Sequence, residues 1–169
     1  MPIIESSLPY RIGHGEDFHR LTTSGELWLG GIHIKESPYG TIAHSDGDVV
    51  LHALIDALLG AMALGDIGEY FPPSDPKYKN AASSDLLAQI LPKITGQGYA
   101  VGNINVIITL QSPKLKGYKA NIKKNIAQLL KTPEDRINIQ GKTAEHLGPI
   151  GQHKGISASV SVLLICDDA

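Results

Sequence analysis

Only one cysteine, Cys166, occurs in the 169 residues, so no internal disulfide framework is available and a reducing compartment is expected. Neither sign of charge dominates. Fifteen basic residues against 17 acidic ones leave a net charge of -2, without the strongly basic face of a dedicated nucleic-acid binder. The most apolar stretch, 49–64, is interrupted by His52 and Asp56 and is too polar to span a bilayer. The first ten residues lack the positive start and apolar centre of a signal peptide, and they are too short for a usual transit peptide. Catalytic signatures are missing too: there is no GxxxxGK[ST] phosphate loop and no GxSxG elbow, and Gly13-His14-Gly15 lacks the rest of a dinucleotide fingerprint. Aromatics are scarce (5%) whereas glycines number 18, which points to close backbone packing and backbone-lined sites. With 42% apolar residues the chain can bury one core, so a soluble, intracellular, single-domain protein is expected, with no nucleic-acid and no membrane partner.

Residues 1–9 read as a leader ahead of one domain over 10–169. A short strand is expected over 10–15, ending in the polar cluster His14, Glu16, Asp17 and His19. Residues 27–29 and 32–34 flank Gly30-Gly31, the pattern of a β-hairpin. Over 46–63 the residues Val49, Leu51, Leu54, Ile55, Leu58, Leu59 and Met62 recur at helical spacing, with Asp46 or Asp48 as the cap. The prolines of 71–79 mark a loop. A second helix starts near Ser83 or Ser84, and Pro92 is expected to kink or shorten it. Further strands are expected over 103–110, 137–143 and 156–165, with a helix over 115–131 and a short turn at Thr132-Pro133-Glu134. The fold class is α/β, α+β-like, with one sheet and helices on one face. Strand order is not legible.

Four constellations carry chemistry. Asp17 and His19, two apart on an extended segment, project to the same side, and both are zinc-ligand types; a polar strand end is the ordinary alternative. His52 lies on the most apolar helix, where an unpartnered imidazole is costly. It is either a core histidine satisfied by a carbonyl, Asp48 or Asp56, or a third ligand with those aspartates behind it. Asp, His and His leave a fourth position open, as in catalytic zinc sites, and the cysteines of a structural site are missing. His44-Ser45-Asp46-Gly47-Asp48 leads into that helix and suits either a phosphate at a helix N-terminus or an ordinary cap. Lys142-Thr143-Ala144-Glu145 closes a strand, with Thr143 and Glu145 on one face as a hydroxyl for phosphate and a carboxylate for magnesium, or simply as a solvated strand end. Lys114 and Lys116 precede a basic helix and are within reach of a nucleotide phosphate.

Taken in order, these pieces resemble the 2-C-methyl-D-erythritol 2,4-cyclodiphosphate synthase family. The resemblance rests on Arg11-Ile12-Gly13-His14-Gly15-Glu16-Asp17-Phe18-His19-Arg20 and, more specifically, on Ala43-His44-Ser45-Asp46-Gly47-Asp48-Val49-Val50-Leu51-His52-Ala53-Leu54. Gly65-Asp66-Ile67-Gly68, Phe71-Pro72-Pro73-Ser74-Asp75-Pro76, Gln111-Ser112-Pro113-Lys114 and Lys142-Thr143-Ala144-Glu145-His146-Leu147-Gly148 continue it, so nearly the whole chain takes part.

The resemblance implies a homotrimer of mixed sheets with active sites between subunits, and a phosphorus-oxygen lyase. The reaction implied turns 4-diphosphocytidyl-2-C-methyl-D-erythritol 2-phosphate into the 2,4-cyclodiphosphate with release of CMP, in non-mevalonate isoprenoid biosynthesis. By resemblance, Asp17, His19 and His52 hold one Zn²⁺ per subunit, and Glu145 holds a second divalent cation, Mg²⁺ or Mn²⁺, at the substrate diphosphate. His44 and Ser45 then hold the methylerythritol phosphate end, with Phe18 beside the zinc ligands. Asp66, Ile67 and Gly68 bind hydroxyls, and Phe71, Pro72, Pro73, Ser74 and Asp75 belong to the same pocket. Leu110, Gln111, Ser112, Pro113, Lys114, Leu115 and Lys116 form the cytosine segment, and Lys142, Thr143 and Ala144 lie at the phosphates, with His44 and Thr143 as the catalytic pair. The location implied is cytoplasmic for a bacterial chain and the plastid stroma for a mature plastid one.

Pro149 and Gln152 stand where many relatives have an aromatic residue and an arginine in a central trimer cavity, so weak or absent binding of isoprenoid diphosphates is expected there. Two rivals remain at this stage: a metal-dependent phosphohydrolase of a nucleotide diphosphate, and a trimeric binding protein that uses zinc only for stability.

Overall fold

The computed structural model describes residues 8–166, so most of the leader expected over 1–9 lies outside the described residues. Five strands make one sheet: β1 (Tyr10–Thr22), β4 (Gly40–Ile42), β5 (Tyr99–Thr109), β6 (Ile137–Lys142) and β7 (Gly155–Cys166). Their order is β4-β1-β7-β5-β6, with β5 and β6 parallel and every other pair antiparallel. The sheet is therefore mixed, as expected. A separate hairpin joins β2 (Trp28–Leu29) to β3 (Ile32–His33). Gly30 and Gly31 between them both take positive φ, 59° and 76°, which a two-residue turn of this hand demands.

The helices are α1 (Val49–Ala61), α2 (Ile67–Tyr70), α3 (Ser83–Thr95), α4 (Lys119–Leu130) and α5 (Gly148–Gly151). Strand alternation sends Ile156, Ala158, Val160, Val162 and Leu164 of β7 to one face, and α1, α3 and α4 cover that face. The other face leaves Ile12 and Phe18 79% and 65% exposed. Helix α1 is apolar almost all round because it is buried almost all round. It sits directly on the backbone of β1: a Cβ at Gly13 would lie 1.8 Å from the Ala57 carbonyl oxygen, and one at Gly15 2.2 Å from that of Ala53. Those glycines are what bring the polar side chains of β1 up to α1.

Four local expectations need correction. Strand β1 continues to Thr22, well past the expected end at 15, and pairs with β7 from Tyr10↔Ile165 to Arg20↔Gly155. Its polar residues look like a strand end, yet the ladder satisfies the backbone whatever the side chains are. Strand β5 begins at Tyr99, ahead of the expected 103, with an irregularity between Val101 and Asn103. Helix α3 runs through Pro92 to Thr95, because Pro92 is on the solvent side and its missing N–H would have met the carbonyl of exposed Ala88. The helix expected from 115 begins as a 3-10 turn, Leu115–Gly117, and becomes α-helical only at Lys119.

Candidate active site

Strand β1 delivers Asp17 and His19, and α1 delivers His52 from the first turn beyond its cap. One ligand atom from each lies within 4.8 Å of the others. The hydrogen bonds show which ring nitrogens keep a lone pair for a metal ion. His19 Nδ1 is 2.8 Å from the Phe18 carbonyl, which can only accept, so the neutral ring carries its proton there. That leaves the lone pair on Nε2, which is buried and has no hydrogen-bond partner among the described residues. His52 Nδ1 lies 2.9 Å from Asp17 Oδ2. Its Nε2 faces two hydroxyls, Ser83 Oγ at 2.9 Å and Ser45 Oγ at 3.1 Å. The Ser83 hydroxyl donates its only proton to the Asp46 carboxylate, so it must accept from His52 Nε2–H. The lone pair of neutral His52 is thereby turned toward Asp17. A carboxylate and two imidazole lone pairs, one of them orphaned in the interior, are a donor set that suits a divalent metal ion.

Burial pushes the His52 imidazole down, but its hydrogen bond to Asp17 and the charges of Asp17, Asp48 and Asp46 outweigh this and leave it raised. A proton between His52 and Asp17 is thus the competitor of a metal ion at the same place. Ser83 fixes the tautomer from behind, and truncating such a partner typically costs about 10–100-fold in metal affinity. Ser83→Ala should weaken divalent-metal binding by that order in a chelator competition. Unchanged affinity would show that the Asp46–Ser83–His52 chain does not tune the site.

The row Ser83–His52–Asp17 has the connectivity of a serine-protease triad. It cannot act as one. Ser83 is 0% exposed and its proton is committed to Asp46, while Ser45 faces the protonated nitrogen of the ring. Neither serine is an activated nucleophile.

Asp48 and Asp56, expected behind His52, are engaged elsewhere by backbone donors. Asp48 caps α1 at Val50 and Leu51 (3.1 Å each) and accepts from Gly30 and Gly31 of the hairpin turn (2.9 and 2.6 Å). Burial raises its carboxyl, while the N–H groups of Gly31, Leu51 and Gly30 oppose the rise. Asp56 accepts from the Ile67 N–H at 2.7 Å.

A cavity of about 400 Å³ opens beside the triad and gathers Phe18, His19, His44, Ser45, His52, Ile67, Gly68, Phe71 and Pro73. His44 Nε2–H donates to the Asp75 carbonyl at 3.1 Å, which ties the 71–79 loop to the start of α1. Asp66 instead caps α2 through the Glu69 N–H. Arg20, Ile42, Ala43, Tyr78 and Leu86 also line this cavity; Arg20 and Ala43 lie in the quoted motifs without an expected role, and the other three carry no local signal.

A second cavity of about 450 Å³ gathers Leu110, Gln111, Pro113, Lys114, Leu115, Lys116, Lys142 and Thr143, with Lys119 and Gly141 added. The two cavities share no lining residue. Thr143 and Glu145 meet, but not by strand alternation: the chain leaves β6 at Lys142 and turns through positive φ at Glu145 (50°) and His146 (62°). The Thr143 hydroxyl donates to the Glu145 carboxylate there. Pro72, Ser74, Ser112 and Ala144 lie on these loops without lining either cavity.

The model of the YgbB family matches residues 10–165. The 2-C-methyl-D-erythritol 2,4-cyclodiphosphate synthase of Treponema denticola is 46% identical over 92% of this chain and 96% of its own length. The synthase of Synechococcus elongatus is 46% identical over 94% of this chain and 98% of its own. Among solved structures, IspF of Plasmodium falciparum in complex with CDP superposes with a TM-score of 0.83 at 35% identity, covering 95% of this chain and 99% of that one.

Proposed function

Because the chain belongs to the YgbB family, we propose that it catalyses the reaction for which its relatives are named. It is a phosphorus-oxygen lyase that converts 4-diphosphocytidyl-2-C-methyl-D-erythritol 2-phosphate into 2-C-methyl-D-erythritol 2,4-cyclodiphosphate and CMP. An oxygen of the substrate's 2-phosphate forms the new bond to the β-phosphorus, the bond from that phosphorus to the CMP oxygen breaks, and CMP leaves with the electron pair. The nucleophile belongs to the substrate. The observation that carries this reading is the metal-donor triad of Asp17, His19 and His52 beside a cavity whose one lining serine, Ser45, faces the His52 Nε2.

Asp17, His19 and His52 would hold one Zn²⁺ per subunit, and Glu145 a second divalent cation, Mg²⁺ or Mn²⁺; such ions supply charge neutralisation at phosphate oxygens. The rest falls to the chain. His44, anchored on Asp75, and Ser45 hold the methylerythritol phosphate end, and Asp66 with Gly68 takes its hydroxyls. The 110–116 loop takes cytosine through its backbone, while Lys142 and Thr143 face the diphosphate. What this arrangement provides is positioning: a flexible polyanion is folded so that its own phosphate is in line with the bond to be broken.

The separation of the two cavities on one chain supports a homotrimer in which neighbouring copies complete each active site. The open sheet face, with Ile12 and Phe18 exposed, supplies apolar area for that assembly. No helix among the described residues is long and apolar enough to cross a membrane, and the bacterial relatives favour the cytoplasmic placement over the plastid one. Incubated with the cytidyl substrate, Zn²⁺ and Mg²⁺, the protein should yield CMP and one cyclic diphosphate by phosphorus NMR. A linear phosphate product would favour a phosphohydrolase.

A further inference from the structure

His153 takes φ = 60° in the turn between α5 and β7, a left-handed conformation that disfavours any residue with a Cβ. Its surroundings show what the ring does there. It stacks on Tyr39, with centroids 5.3 Å apart and planes at 21°, and its Nδ1 is 3.1 Å from Ser112 Oγ. Three segments meet at this one ring: the stretch before β4, the loop after β5, and the turn before β7.

The loop after β5 is the one that walls the second cavity, through Gln111 and Pro113 on either side of Ser112. Backbone bonds hold it at Leu110, whose N–H donates to the Lys142 carbonyl at 3.0 Å, and at the turn closed by Tyr118 N–H and the Leu115 carbonyl, 2.9 Å. Between these points side chains do the holding. Gln111 Oε1 accepts from the His146 N–H at 3.2 Å, and Ser112 is held by His153.

We propose that His153 is a positioning residue for the nucleotide cavity. Its ring, braced on Tyr39, pins Ser112 and so presets the 111–113 backbone against which a pyrimidine nucleotide binds. This rests on the synthase reading for the identity of the nucleotide. Preorganisation of this kind lowers the cost of ordering the loop on binding, so its loss appears in nucleotide affinity and not in the chemical step.

The test is the affinity for CDP, with KM and kcat for the cytidyl substrate and the thermal midpoint, in four variants. His153→Gly keeps the positive φ without strain and removes the ring. It should raise the Kd for CDP and the KM by about five- to tenfold, leave kcat within about twofold, and leave the thermal midpoint unchanged or higher. His153→Asn tolerates the same conformation and offers an amide to Ser112, so it should recover most of that affinity. Ser112→Ala should raise the Kd for CDP by the same factor as His153→Gly, and the double variant should bind CDP no worse than either alone. CDP affinity that is unchanged in His153→Gly and in Ser112→Ala, while the wild type binds CDP, would overturn the proposal and leave the synthase reading standing. A wild type that binds no CDP would overturn both.

Discussion

His52→Ala is expected to release the metal and to lower turnover by at least about two orders of magnitude, more than the loss of a tuning partner behind a ligand produces. The size follows from the donor count. Removing one of three donors leaves Asp17 and His19, and also leaves Ser83 without its imidazole partner. The fold should survive, since alanine is the best helix former and α1 keeps its Asp48 cap and its apolar contacts. Metal content by mass spectrometry, circular dichroism and the rate of CMP release check the three parts together. Retained stoichiometric zinc in the variant would show that these residues do not form the site. Loss of fold along with the metal would favour the stabilising-zinc rival.

Gly13→Ala should be the most damaging small change outside the ligands. The new methyl would sit 1.8 Å from the Ala57 carbonyl oxygen and 2.8 Å from the Ala61 nitrogen, both of them backbone atoms of α1. No side chain can yield, so α1 must lift from β1, at a cost of about 3 kcal/mol or more. For a chain of this length that corresponds to a thermal midpoint lower by about 6–12 °C. The same displacement would carry His52 away from Asp17 and His19, so metal affinity should fall with stability. Gly117→Ala is the control: nothing lies within 4 Å of its Cβ position and its φ is not positive, so the midpoint should scarcely move. Equal midpoints for the two variants would mean that α1 does not rest on β1 as described.

Much of the site was legible because it rests on local geometry. Asp17 and His19 alternate onto one side of a strand, and the helical apolar spacing of α1 left His52 and Asp56 conspicuous as its polar interruptions. Other features are set only when distant segments meet. Ser83 reads as a helix start, which it is, and nothing local announces that its hydroxyl orients a histidine 31 positions away. Asp46 reads as a cap, yet both its oxygens bind Ser83. The aspartates four residues either side of His52 were reasonable partners by helical spacing, but backbone donors of the hairpin and of Ile67 hold them. The left-handed turn at His153 carries no sequence signal, since it is the glycine one looks for in that conformation. The extent of β1 was hidden because polar residues on both of its faces mimic a strand end, whereas its register with β7 is fixed by the ladder.

The central claim is that the substrate's own phosphate is the nucleophile, and the source of oxygen tests it most directly. The reaction is run with Zn²⁺ and Mg²⁺ in ¹⁸O-enriched water, and CMP and the cyclic diphosphate are examined by mass spectrometry. Intramolecular transfer forms one P–O bond within the substrate and breaks another, so neither product should gain solvent oxygen. Label in CMP or in the other phosphorus product would show that water attacks, and would contradict the account.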